Sequence, residues 1–290
     1  MGGPGAPRPR HHRRRLLPPG GAVSVIPISD WQLALAVGLV VITAVITALL
    51  RLGLLKSLII ATLRTFAQLF LMGWALRYLF AWDNPWLTGG LLLFMIGFAT
   101  YTALERVSGA PKRHYGLTFL SLLPGSVLIT TIVCGLVIQG DPWYSARVVI
   151  PIGGMIIGNS LNGISLALDR LYSEVRSHTG EIETLLALGA GPWEAVRDRV
   201  RAALRAGMTP IINSMMAVGM VFLPGMMVGQ ILAGAEALTA IRYQIVVMLM
   251  LAAAVAIGSL LLVALHYKKL FTAEEALDPA LIESRGSTKR

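Results

Sequence analysis

The chain has 290 residues, of which 55% are hydrophobic and only 14% are charged, with a mean hydropathy of +0.69. This small number of charged residues cannot cover the surface of a water-soluble domain. Lipid must therefore be the solvent for much of the chain. The formal net charge of +10 could suggest nucleic-acid binding. Most basic residues, however, fall between apolar runs, as is typical of cytosolic loops. We therefore predict an integral membrane protein without a nucleic-acid partner.

The N-terminal residues, 1–28, are rich in Gly, Pro and Arg and predict a disordered basic tail. The residues after Arg15, Leu-Leu-Pro-Pro-Gly-Gly, do not form the apolar centre of a signal peptide. Cys134 is the only cysteine, so neither an intramolecular disulfide nor a Cys-rich metal site can form.

The rest of the chain contains seven apolar segments, each long enough to cross a bilayer. Ser29 and Gln32 have the spacing of a capping box, which predicts a helix start, and this first segment runs to about Leu50. The remaining six cover about 58–80, 86–105, 117–139, 146–170, 208–233 and 241–266. The predicted fold is all-α: a polytopic transmembrane helical bundle of about seven spans over 29–270, followed by a cytosolic tail over 271–290.

Basic residues predict the orientation of this bundle, because cytosolic loops retain Lys and Arg. Arg51, Lys56 and the arginines of 171–206 fall on one side, which we expect to be cytosolic. An odd number of spans then places the N-terminus outside. The five arginines among residues 1–28 contradict the same rule.

Catalytic signatures are absent from the sequence. There is no Walker A motif, no His-Glu-x-x-His pair and no Gly-x-Ser-x-Gly elbow. We therefore expect a protein that is not an enzyme and does not bind ATP in a Walker-type phosphate cradle.

The cytosolic segment 171–206 predicts a hairpin of two helices. Thr179 to Glu183 is typical of a capped, acid-rich helix start, and Pro192 can open a second helix with a basic face. Such a hairpin can lie along the lipid headgroups. Alternatively, it can dock a cytosolic partner, and the spacing from Glu183 to Gly189 resembles the coupling loop of ABC permeases.

Several spans carry polar or helix-breaking residues, which are costly in lipid and often line a substrate pathway. Met226 and Met227 have thioethers that could bind a soft metal, although methionine is also a common apolar filler. The asparagines of the fifth span could equally serve helix packing. The candidate pathway residues are Arg64, Gln68, Glu105, Asn159, Asn162, Pro224, Gly225, Met226, Met227 and Gln230.

Four patches together resemble the FetB-like iron-export permeases of bacterial ABC transporters, a family related to plant aluminium-tolerance proteins. The resemblance covers about 30–270, and its most specific part is Leu-Pro-Gly-Met-Met-Val-Gly-Gln at 223–230, followed by Arg-Tyr-Gln at 242–244. The other patches are Leu-Arg-Thr-Phe-Ala-Gln-Leu at 63–69, Gly-Asn-Ser-Leu-Asn-Gly at 158–163 and the segment 183–189.

The resemblance implies a multi-pass permease of the plasma (inner) membrane that pairs with a separate ABC ATPase subunit as a homodimer of permeases. It implies export of iron or another metal, with ATP hydrolysed by the partner subunit and no cofactor bound by this chain. The coupling residues would be Glu183, Leu186, Gly189 and Ala190. Export of a nucleotide sugar, and a secondary transporter or channel without an ATPase, remain alternatives.

Overall fold

The computed structural model describes residues 28–107, 115–272 and 274–278, so the predicted basic tail lies almost wholly outside the described residues. These residues form a helical bundle, as the composition predicts. The helices are α1 (Asp30–Leu49), α2 (Leu55–Trp82), α3 (Pro85–Arg106), α4 (Tyr115–Ile132, continued by a π-helical turn over Val133–Ile138), α5 (Ala146–Ser177), α6 (Thr179–Ala187), α7 (Pro192–Ala217), α8 (Gly225–Leu232) and α9 (Ala237–His266).

Local sequence signals determine where several helices begin. The capping box of α1 is present, with Ser29 N–H donating to Gln32 Oε1 at 2.8 Å and Gln32 N–H donating to Ser29 Oγ at 3.4 Å. α7 begins at Pro192, as predicted, because a first-turn N–H needs no intrahelical partner. The N-terminus of α5 is capped by a residue far away in sequence. Asp83, which follows the last residue of α2, accepts a hydrogen bond through Oδ1 from Ala146 N–H at 2.8 Å. Proximity along the chain could not predict this contact.

Six described helices are long and apolar enough to cross a membrane: α1, α2, α3, α4 with its π-helical turn, α5 and α9. The sixth predicted span, 208–233, is divided. α7 ends at Ala217, Gly219 adopts a φ of +85°, and α8 begins only at Gly225, with Pro224 as its N-cap. The Pro-Gly step therefore marks a broken helix, as the sequence predicts.

Packing determines on which side of the bundle each helix ends. Leu270 and Leu277, after α9, are buried in the same apolar cluster as Ile182 of α6. If α9 crosses the bilayer, its first residue lies on the side opposite α6. The chain between Pro192 and Glu236 must then cross as well, which gives a seventh pass that is broken.

α5 is the central helix of the bundle and contacts α3, α4, α7 and α9. One apolar cluster surrounds Leu168, Leu171 and Tyr172 near the α6 end, and a second surrounds Ile152 and Ile156 nearer the other end. α2, by contrast, has no buried residue. The bundle core is therefore formed by α3, α4, α5, α7 and α9.

One expectation about the hairpin is wrong. The basic helix does not end before the sixth span; α7 is continuous over 26 residues and buries Val196, Val200, Ala203, Gly207 and Ile211. A helix packed along α5 in this way cannot lie flat on the headgroups. α5 itself has 32 residues, or about 48 Å at 1.5 Å per residue, and so extends beyond a hydrocarbon core of about 30 Å.

Candidate functional site

The break between α7 and α8 forms one wall of a cleft, which we call the membrane cleft. Ten residues from the end of α7, the break, α8 and the first half of α9 line it, and its volume is about 400 Å³. Three of them are the methionines Met215, Met227 and Met248, which reach the cleft from three different helices. Thus the broken helix and the following helix together form a concave site, as helix breaks in transporters do.

Gln244 is the only polar side chain among these ten lining residues. It lies on α9, is only 5% exposed, and its Oε1 has no hydrogen-bond partner among the described residues. A buried amide without a partner is costly in a membrane. Gln244 is therefore a polar residue of the cleft lining whose oxygen the described residues leave unpaired.

The structure separates the two methionines that the sequence proposed together as metal ligands. Met227 lines the membrane cleft, whereas Met226 packs against the second apolar cluster. Pro224 and Gly225 form the start of α8, and Gln230, further along that helix, has a buried Oε1 without a hydrogen-bond partner among the described residues. Of the residues proposed in this part of the chain, only Met227 lines the membrane cleft.

The charged pathway candidates lie elsewhere. Arg64 and Gln68 are exposed on α2, and the Arg64 guanidinium lies 5.8 Å from the centre of the Phe98 ring on α3. Glu105 is exposed near the end of α3. The part of the chain described here does not bring these three residues to the membrane cleft.

The fifth-span asparagines occupy one side of α5. Asn159 Nδ2 donates to Met155 O of its own helix at 2.9 Å, and Asn162 is exposed one turn further along. This hydrogen bond pairs one N–H of the Asn159 amide within α5. Neither residue lines the membrane cleft.

All four predicted coupling residues, by contrast, lie around one cleft at the opposite end of the bundle. Glu183, Leu186, Gly189 and Ala190 line it together with Gly191 and 274–277, and its volume is about 420 Å³. The chain reverses there because Gly189 has a φ of +89°, a conformation that favours glycine. Next to this cleft, Leu188 is 80% exposed.

α6 is attached to the bundle by apolar packing and by an ion pair. Ile182 is completely buried among residues of α5 and α7. Arg199 of α7 places Nη2 2.5 Å from Glu181 of α6 and Nη1 3.8 Å from Glu174 of α5, which also pairs with Arg170 at 2.7 Å. Arg199 thus joins three helices, a role that its position in a basic run did not reveal.

No role for Met248, or for Gln244 as a single residue, is predicted from the sequence. The sequence does contain one indication of Gln244, because a side-chain amide within the last apolar segment is costly in lipid. The sequence could not reveal that Gln244 and Met227 line the same cleft, since the two residues lie on different helices and come together only when α8 packs against α9.

A polytopic helical bundle with a broken helix, a membrane cleft and an exposed helical tip defines a multi-pass integral membrane protein. Comparison with known families identifies it further. Residues 30–271 match the model described as "Uncharacterised protein family (UPF0014)". The chain belongs to this family.

Curated relatives cover most of the chain. A UPF0014 membrane protein of Synechocystis is 37% identical over 226 residues, covering 78% of this chain and 87% of the relative. The Escherichia coli protein named "Probable iron export permease protein FetB" is 32% identical over 250 residues, or 86% and 95% of the two chains. "Protein ALUMINUM SENSITIVE 3" of Arabidopsis thaliana is 32% identical over 239 residues, covering 82% and 86%. No solved structure matches the chain.

Proposed function

We propose that this chain is the permease subunit of an ABC transporter and exports iron or another metal from the cytosol with a separate ATPase subunit. The name of the Escherichia coli relative supports the metal and the direction of transport. Like the family resemblance, it leads us to place the protein in the plasma membrane and to expect two permease copies in the complex.

The observation that carries the proposal is the exposed tip around α6. Glu183 and Leu188 are exposed there, while Ile182 of the same short helix is completely buried. A short helix that is anchored on one face and exposed on the other can receive a partner without detaching from the bundle. We assign this exposed face to the ATPase.

The attachments of α6 suggest how motion reaches the membrane cleft. Arg199 links α6 to α7, and α7 continues without interruption from Pro192 to Ala217, where the break begins. A displacement of α6 would therefore move α7 as a rod and change the wall of the membrane cleft at Val218 and Gly219. In this mechanism the hairpin couples the ATPase to the cargo site.

The test combines Glu183→Arg with Leu188→Asp, which changes the exposed face of α6 without altering Ile182. We expect the variant to fold but no longer to co-purify with the co-expressed ATPase, and cells producing it to retain iron. Glu236→Arg, an exposed charge reversal just before α9, is the control and should keep both activities. Normal ATPase binding and normal iron export by the α6 variant would refute the coupling role.

A further inference from the structure

The lining of the membrane cleft has the wrong chemistry for an aquated metal ion. Hard cations bind carboxylate, carbonyl and water oxygens, and iron also accepts imidazole. No Asp, Glu, His or Cys is among the ten lining residues. The described part of the chain also holds no group of three or more such residues that could bind a metal. Aliphatic side chains cannot replace the water that such an ion must lose.

The size of the cleft also favours a larger occupant. Its volume is about 400 Å³, whereas six waters around an ion occupy roughly 180 Å³ at about 30 Å³ each. Sites for small organic molecules have volumes of about 300–1,000 Å³ and are mainly apolar, with a few polar groups that orient the ligand. The membrane cleft fits the second description.

Gln244 supplies the one polar group. It is 5% exposed and lines the cleft, and its Oε1, which is closed to solvent, lacks a hydrogen-bond partner among the described residues; a rotation of the side chain would turn this oxygen towards a bound molecule. A lipid tail has no donor for this oxygen, whereas a solute with an N–H or O–H has one. The methionines can adapt to an irregular apolar surface, because their side chains are unbranched and polarizable.

We propose that the membrane cleft binds a bulky, mostly apolar molecule that donates a hydrogen bond to Gln244, so that metal leaves the cell enclosed in an organic ligand. The inference rests on the proposed export function and specifies its substrate class. Met215, Met227 and Met248 form an adaptable wall in this proposal and do not coordinate the metal.

The test uses the complex of this chain with its ATPase in proteoliposomes and measures ATPase stimulation. The probes are ferrous sulfate, the neutral iron(III) complex of benzohydroxamate, and the same complex with N-methylated ligands, which lacks the N–H donors. We expect stimulation by the benzohydroxamate complex, weaker stimulation by the N-methylated complex and none by ferrous sulfate. In Gln244→Leu the two complexes should become equivalent, with half-saturation about tenfold higher than for the wild type.

Two pairs of variants locate the site. Leu249 and Leu260 are both on α9 and both 58% exposed, but only Leu249 lines the membrane cleft. Leu249→Trp should abolish stimulation, and Leu260→Trp should preserve it. Met226→Leu, outside the cleft, should keep it, and Met227→Leu should raise half-saturation by no more than about threefold, because leucine nearly conserves the apolar volume of this wall.

Three results would overturn the inference. One is stimulation by ferrous sulfate but not by the chelates, which leaves metal export intact. Another is loss of stimulation in Met227→Leu but not in Met226→Leu, which indicates direct thioether coordination. The third is the absence of chelate binding in equilibrium dialysis with the chain alone, which marks the cleft as a surface for lipid. Failure of the complex to assemble with any ATPase would instead refute the proposed function.

Discussion

Gly163 of α5 and Gly207 of α7 lie so close together that a methyl group on either would meet the backbone of the other helix. A Cβ built on Gly207 would lie 2.8 Å from Gly163 O, and one built on Gly163 would lie 3.1 Å from Gly207 O. Ser259 of α9 is at the same place, with its Oγ 3.1 Å from the Gly207 position. Small residues let membrane helices approach closely, so α5, α7 and α9 are joined most tightly here.

The first prediction concerns this contact. In Gly163→Ala the new methyl group would lie 2.6 Å from Val255 Cγ1. We expect a loss of about 1–3 kcal/mol of stability, as for other overpacked cores, measured as a lower unfolding temperature in detergent.

Gly158→Ala on the same helix is the matched control, because no atom lies within 4 Å of its Cβ position. It should stabilise α5 by up to about 1 kcal/mol through helix propensity. Equal effects of the two substitutions would contradict the close approach.

The second prediction concerns the cap that α2 provides to α5. Asp83→Ala removes the acceptor for Ala146 N–H and places alanine at a φ of +39°, so stability should fall by about 1–2 kcal/mol. Asp83→Asn keeps an oxygen acceptor and tolerates the left-handed backbone, so it should lose less than half as much. Thermal unfolding of the purified variants measures the difference. An asparagine variant as unstable as the alanine variant would exclude capping as the role of Asp83.

The third prediction separates two arginines of α7. Arg199 joins Glu181 and Glu174 on other helices, whereas Arg201 forms an ion pair with Asp198 of its own helix at 3.0 Å. Arg199→Ala should lower the local stability of α6 by about 1 kcal/mol, and Arg201→Ala by less than about 0.5 kcal/mol. Amide hydrogen exchange in α6 measures this difference. Similar exchange rates in the two variants would refute the linking role of Arg199.

The fourth prediction tests the broken pass. Cys134 is only 1% exposed, so a cysteine added at an exposed position should be the main site for a membrane-impermeant maleimide. We expect Ala235→Cys to be labelled in intact cells and Leu188→Cys only after permeabilisation. Both positions are exposed: Leu188 lies just before the segment from Pro192 to Glu236, and Ala235 lies at its far end. Labelling of both from the same side would show that this segment does not cross.

Local signals made several features of the fold predictable. The Ser29 capping box, the start of α7 at Pro192 and the break before Gly225 all depend on residues that are near one another in sequence. The end of the amphipathic α7 was not predictable, because the change from polar to apolar composition near residue 208 suggests a boundary that the backbone does not have.

The candidate sites divide in the same way. The predicted coupling residues fall within one short segment, and the structure places all four around one cleft. The pathway residues were chosen individually for their cost in lipid, and the structure leaves Arg64, Gln68 and Glu105 apart from Met227. Polarity alone does not specify which residues share a site.

The sequence by itself predicted that much of the chain is embedded in lipid, which helices are long and apolar enough to cross a bilayer, where the sixth predicted span breaks and where the hairpin lies. These properties follow from composition and from short-range rules. Only the tertiary structure decided that Met227 and Gln244 share a cleft while Met226 packs against the second apolar cluster, and that Arg199 joins three helices. Such relationships depend on which helix faces which, and this is determined by close contacts such as that between Gly163 and Gly207.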